Sequence, residues 1–136
     1  MAAAVAQAAA LLSFNPDDPN FNNAVAHEPT NWLAEPGAYF ADLMLSTLGL
    51  ATIFAPLAIL LWGWRMLLHR AQPRWWLNAT LLPLAMLAFA GFLAIAPAPP
   101  GWPLKTGLGG VLGDLTLYRQ VLVALEAAGL GVAPWI

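Results

Sequence analysis

Cysteine is absent from the chain, which excludes disulfides, thiolate nucleophiles and cysteine metal sites and leaves the redox compartment open. Charge is scarce as well. Charged residues make up 9% of the 136 positions and hydrophobic ones 60%, against about 25% charged in a soluble domain. So few polar groups do not cover a water-exposed surface, and a lipid-facing surface is the natural reading. The five basic residues are scattered or confined to one loop. They do not neutralise a run of phosphates, so the chain is expected to bind no nucleic acid. Imidazole comes only from His27 and His69, 42 positions apart. That is a poor basis for a zinc centre, and no metal or cofactor is expected.

Long uncharged runs are what the sequence has instead. LMLSTLGLATIFAPLAILLWGW covers 43–64 and LNATLLPLAMLAFAGFLAIA covers 77–96. A helix rises about 1.5 Å per residue, so about 20 residues cross a hydrocarbon core some 30 Å thick. Central Leu, Ile and Phe each favour insertion by about 0.3–0.6 kcal/mol, opposed only weakly here by Ser46, Thr47 and Thr52. Both runs are therefore expected to be complete transmembrane helices. Pro56 and Pro83 fall inside them, a placement that membrane helices accommodate by local kinks. Gly49 and Gly91 offer close helix approach without forming a GxxxG pair.

Charge sets the orientation. The loop 65–76 carries Arg65, Arg70 and Arg74 and no acid, whereas 15–42 carries Asp17, Asp18, Glu28, Glu35 and Asp42 and no Lys or Arg. Arginine and lysine are retained on the cytoplasmic side, so 65–76 is expected there, with 13–42 and 97–113 outside. Trp62, Trp64, Trp75 and Trp76 mark the same boundary, as an aromatic belt does.

At the amino end, AAAVAQAAALL reaches only about 17 Å as a helix. Its Ala-x-Ala triplets resemble a signal-cleavage site, but no basic or apolar region precedes them. Residues 1–12 are expected to be a helix stub, the outer end of a truncated helix. SFNPDDPNFNNAVAHEPTNWLAEPGAY is rich in Pro, Asn and Asp and reads as turns; its oxygens lack the regular spacing of a calcium loop. Pro97, Pro99, Pro100 and Pro103 exclude a helix just beyond the second run. GLGGVLGDL lacks the lysine of a phosphate-binding loop and reads as a flexible return into a helix. Residues 114–136 show helical spacing at Leu115, Tyr118, Val121 or Leu122, and Leu125, with Arg119 and Glu126 on the polar side. They are expected to form an amphipathic or partly inserted membrane helix. The fold class is thus all-α integral membrane, one domain over 1–136.

In order and spacing, SFNPDDPNF, NWLAEPGAYFADLMLSTLGLA, PLAILLWGWRMLLHR and GLGGVLGDL resemble the amino-terminal membrane domain of FtsK/SpoIIIE-type DNA translocases. The likeness covers residues 11–115. It implies a bacterial inner-membrane, multi-pass domain of four helices. In that family this domain tethers a hexameric ATP-driven DNA motor at the division septum and takes part in assembling the division machinery. The motor, its Walker motifs and its DNA-reading tail do not occur among these residues, so the chain reads as a truncated, non-enzymatic anchor. Its expected partners are the bilayer, cell-division membrane proteins and further copies of itself. A small transporter or channel subunit is the alternative, but the spans offer only isolated Ser, Thr and Asn at mid-membrane. A membrane enzyme would need paired carboxylates or a nucleophile with a base, and Asp17-Asp18 comes nearest. Specific recognition needs polar groups and aromatic anchors. The candidate interaction residues are therefore Phe14, Asp17, Asp18, Phe21, Asn22 and Trp32, together with the Gly-rich loop, while Arg65, Arg70 and Arg74 determine topology.

Overall fold

The structure, a computed structural model, describes residues 1–21, 27–69 and 74–129, and over 117–122 it describes the backbone alone. Every regular element among these residues is helical. Helix α1 (Ala2–Leu12) forms because alanine loses no side-chain entropy on entering a helix. Its small side chains let it lie against its neighbours, burying Ala4 and Ala10. It runs antiparallel to the chain that follows. Met1 lies beside Gly63, and the carbonyl of Ala10 meets Asn31.

Helix α2 (Ala34–Leu48) begins well before residue 43, the expected start of the first span. The segment through Tyr39 reads as turns in the sequence, but Pro36 falls in the first helical turn, where backbone N–H groups have no intrahelical partner to lose. Glu35 in the same turn complements the helix dipole. A 3-10 segment (Gly49–Ile53) interrupts the rod before α3 (Phe54–Leu67) continues it. Pro56 thereby lands in the first turn of α3, and the sequence's expected kink is a break a few residues upstream.

Helix α4 (Trp75–Ala94) takes in Trp75 and Trp76 and runs through Pro83 unbroken. Two stretches, Ala34–Leu67 and Trp75–Ala94, are long and apolar enough to cross a membrane. Only 22% and 17% of their most apolar windows are buried, whereas the core helix of a soluble protein would be mostly covered. Leu61, Trp64, Leu84 and Phe92 are among the large side chains left bare.

The last segment corrects an expectation. The Gly-rich run, expected as a flexible return into a helix, is a packed one: a short α5 (Gly110–Gly113) lies against α2 and α4, a π turn (Asp114–Tyr118) continues along α4, and α6 (Arg119–Ala127) follows. Its glycines are the reason. A Cβ on Gly109 or Gly113 would overlap the carbonyl of Ala90 in α4, and one on Gly110 would lie 2.6 Å from the backbone of Gly49 and Thr47. Gly109 and Gly113 are spaced as GxxxG, which lets two backbones approach closely. Gly49 itself has φ +57 and ψ −140, a conformation nearly restricted to glycine. The break frees backbone groups, and the same seam satisfies them: Leu50 N–H donates to the Leu108 carbonyl at 2.9 Å, and Thr52 Oγ1 donates to Met44 at 2.9 Å. An irregular backbone at membrane depth is stable only when protein supplies its hydrogen bonds. Residues 130–136, the tail of the expected terminal helix, lie outside the described residues.

Candidate functional site

The connection between α1 and α2 contains the densest polar chemistry of the chain. Asp18 is its centre. The side chain is 1% exposed and its carboxylate accepts from Thr30 N–H at 2.8 Å, Thr30 Oγ1 at 2.9 Å and Asn31 N–H at 3.0 Å. Asn31 extends the network: its amide donates to the carbonyls of Ala10 at 2.9 Å and Ser13 at 3.3 Å. Its Oδ1 accepts from Leu33 N–H at 3.1 Å. Ser13 Oγ accepts from Trp32 N–H at 3.0 Å while donating to Ala9. The end of α1 and the start of α2 are thus stapled through side chains, because neither terminus can complete its own backbone bonding.

Asp18 was expected on an interaction surface and is instead buried in this staple. The other candidates lie elsewhere. Asp17 is exposed, its N–H held by Asn15 Oδ1 at 3.1 Å in an Asx turn. Phe21 is 71% exposed, with one edge against Tyr39 at a centroid separation of 4.9 Å. Trp32 is 72% exposed although its backbone is fixed. Phe14 is half-buried, and Asn22 falls outside the described residues. The Gly-rich run, also expected as an interaction surface, is packed into the helix seam, with Gly109, Gly110 and Gly113 buried. Among the topology residues, Arg65 is exposed in the last turn of α3 and Arg74 is exposed where α4 begins. Arg70 lies outside the described residues.

His27 joins the same connection. Its Nδ1 lies 3.0 Å from the Glu28 carbonyl and its Nε2 2.9 Å from the Asp17 carbonyl. The Glu28 carbonyl holds the imidazole above its ordinary pKa, against an opposing desolvation; the Asp17 carbonyl and the Asp18 and Asp17 charges act in the same upward direction.

Two features escaped the sequence reading. Asp42 counted only as an acid beyond the first span, yet it lies within α2, buried and accepting from Ser46 Oγ at 3.2 Å; its i, i+4 spacing to Ser46 was the available signal. The GxxxG pair was legible at 109 and 113 and went unused. An apolar groove of about 400 Å³ also opens between α1 and the α2–α3 rod, lined by residues such as Val5, Leu11, Leu45 and Leu57 with Thr52 as its polar member. No cluster of three or more metal-ligating side chains occurs among the described residues.

The model of the 4TM region of DNA translocase FtsK/SpoIIIE matches residues 1–135. The chain is similar to the DNA translocase FtsK of Bradyrhizobium diazoefficiens, 39% identical over 90% of this chain and 15% of that protein. It is similar also to those of Agrobacterium fabrum, at 37% identity over 84% and 13%, and Caulobacter vibrioides, at 33% over 84% and 14%. The chain therefore spans about one seventh of the length of the relatives it matches. No solved structure matches it.

Proposed function

Since the chain belongs to the FtsK/SpoIIIE 4TM family, and is thus a membrane-embedded domain of a bacterial protein, we propose that it is a non-enzymatic anchor in the inner membrane that docks on cell-division membrane proteins. The observation that carries this reading is the contrast at the α1–α2 connection. A buried staple joins Ala10, Ser13 and Asp18 to residues 30–32 while Phe21 and Trp32 stand 71% and 72% exposed. Exposed aromatics on a rigid support have the character of interface anchors. The spans present generic apolar faces that give little discrimination between partners. The role tied to DNA then belongs to whatever motor the anchor carries, as in relatives named DNA translocases.

Recruitment tests this directly. A fluorescent fusion with Asp17, Phe21 and Trp32 all replaced by alanine should lose midcell localisation at normal expression. Unchanged recruitment of the stably inserted variant overturns the docking role. In this reading, the segregation of arginines and acids supports an orientation with Arg65 and Arg74 at the cytoplasmic face and Asp17 and Glu28 outside. In intact cells, a cysteine at Glu28 should react with a membrane-impermeant thiol reagent and one at His69 should not. The reverse pattern inverts the topology.

A further inference from the structure

Both ends of α1 are pinned to the chain that follows. Met1 lies beside Gly63 of α3, and the Ala10 carbonyl accepts from Asn31, just ahead of α2. The helix between these two points measures about 15 Å, whereas residues 34–63 laid straight would measure about 44 Å. The stretch from α2 to α3 therefore bends at the 3-10 segment, where Gly49 has φ +57, and α1 spans the inside of the bend. The apolar groove of about 400 Å³ is the space this arrangement leaves open. Val5, Ala8 and Leu11 of α1 form one wall, and Leu45, Ile53 and Leu57 form the other.

The lining decides what can occupy this space. Thr52 is the one polar side chain among the lining residues, and its hydroxyl is already committed to the Met44 carbonyl at 2.9 Å. A groove without a free polar group gives water nothing to bond, and such a site takes hydrocarbon. Size then decides which hydrocarbon. One turn of helix, about 10 Å across and 5.4 Å high, already fills about 400 Å³, so a partner's helix enters for no more than a turn. If a methylene takes about the 30 Å³ of a water, the same space holds about a dozen carbons of a single tail. The groove is also open to the bilayer: Val5, Ile53 and Leu57 are exposed in a domain that is membrane-embedded. We propose that this groove binds the acyl tail of a bilayer phospholipid, which fills the inside of the bend and completes the packing of α1 against α2 and α3.

The experiment uses the full chain, one copy per lipid nanodisc, with a phosphatidylethanolamine that carries a diazirine midway along one tail. After irradiation, the labelled residues are mapped by mass spectrometry. Labelling of Val5, Ala8 and Leu57 is expected several-fold above that of Leu84 and Phe92, which stand bare on α4 and meet only exchanging lipid. Ala8→Phe fills the groove and should cut its labelling several-fold while α4 labelling, which reports insertion, stays unchanged. Leu57→Phe fills it from the opposite wall and should act alike. Equal labelling of groove and α4, or groove labelling indifferent to both substitutions, overturns the site. Loss of groove labelling when two copies share a disc gives the groove to a second copy and overturns the lipid as its occupant. No division protein takes part in this measurement, so failure of the docking reading and failure of the lipid site are told apart.

Discussion

The α1–α2 connection and the glycine seam do the same mechanical job with opposite chemistry. Each fixes one helix against another. The connection does it with directional bonds, a buried carboxylate taking three donors and an amide bridging two helix ends. The seam does it by removing side chains, so that Gly109, Gly110 and Gly113 bring backbone against backbone at Thr47–Gly49 and Ala90. The difference follows from the solvent. Lipid tails are as apolar as leucine, so burying more leucine between membrane helices gains little, and close van der Waals approach has to supply the attraction. At the end of a helix near water, unpaired backbone groups dominate and side-chain acceptors answer them.

The sharpest way to break this comparison is to add one methyl group to the seam. Gly49→Ala places a Cβ into the Leu108 carbonyl and forces a non-glycine residue to φ +57. Left-handed backbone costs about 1–2 kcal/mol and overpacking about 1–3 kcal/mol more. Equilibrium unfolding in mixed micelles, followed by tryptophan fluorescence, should show a loss of about 3 kcal/mol. Gly110→Val should behave alike, since its Cβ would lie 2.6 Å from Gly49 N at φ +67. Neutral behaviour of both variants would mean that the seam is loose and the Leu50–Leu108 bond incidental.

Next in size is the staple. Asp18→Ala leaves Thr30 N–H and Asn31 N–H without their acceptor, and an orphaned donor costs about 1–3 kcal/mol. A loss of about 2 kcal/mol is expected by the same unfolding measurement. Asp18→Asn keeps the shape and one acceptor oxygen, so it should lose less. Equal losses would show that a single acceptor oxygen of the right shape is not enough and that Asp18 acts through its charge and both carboxylate oxygens, whereas no loss in either variant would collapse the contrast with the seam.

The two regions differed as much in legibility. The spans were readable because apolar length is a local property, and residues 43–64 and 77–96 both lie mostly within helices of the fold. The start of α2 was not, because Pro36 signals a turn unless one knows that it stands in a first helical turn. The seam was missed because its meaning is a contact between distant segments: Gly109 and Gly113 acquire a role only once Ala90 lies across from them. Asp18 misled for the opposite reason. An acid among prolines looks solvated, and nothing local says that the backbone at Thr30 and Asn31 will fold over it. Phe21 and Trp32, named from the sequence as candidate interaction residues, are exposed in the fold.

The smallest expected effect belongs to those aromatics, and its smallness is what makes the comparison useful. Trp32 is 72% exposed and what holds its position is the backbone N–H on Ser13 Oγ, which Trp32→Ala retains. Surface substitutions away from structural features stay within about 0.5 kcal/mol, and that is the expected change for Trp32→Ala. Phe21→Ala forfeits the edge contact with Tyr39, and aromatic pairs contribute about 0.5–1.5 kcal/mol beyond area burial. With Phe21 71% exposed, the lower end of that range applies. A connection that tolerates loss of both rings, yet fails when Asp18 is truncated, separates support from surface. The rings then sit on a scaffold that does not need them, and a defect in recruitment by the same variants reports recognition rather than misfolding. Should Trp32→Ala destabilise the chain as much as Asp18→Ala, the indole is a structural member and the docking surface must be sought elsewhere.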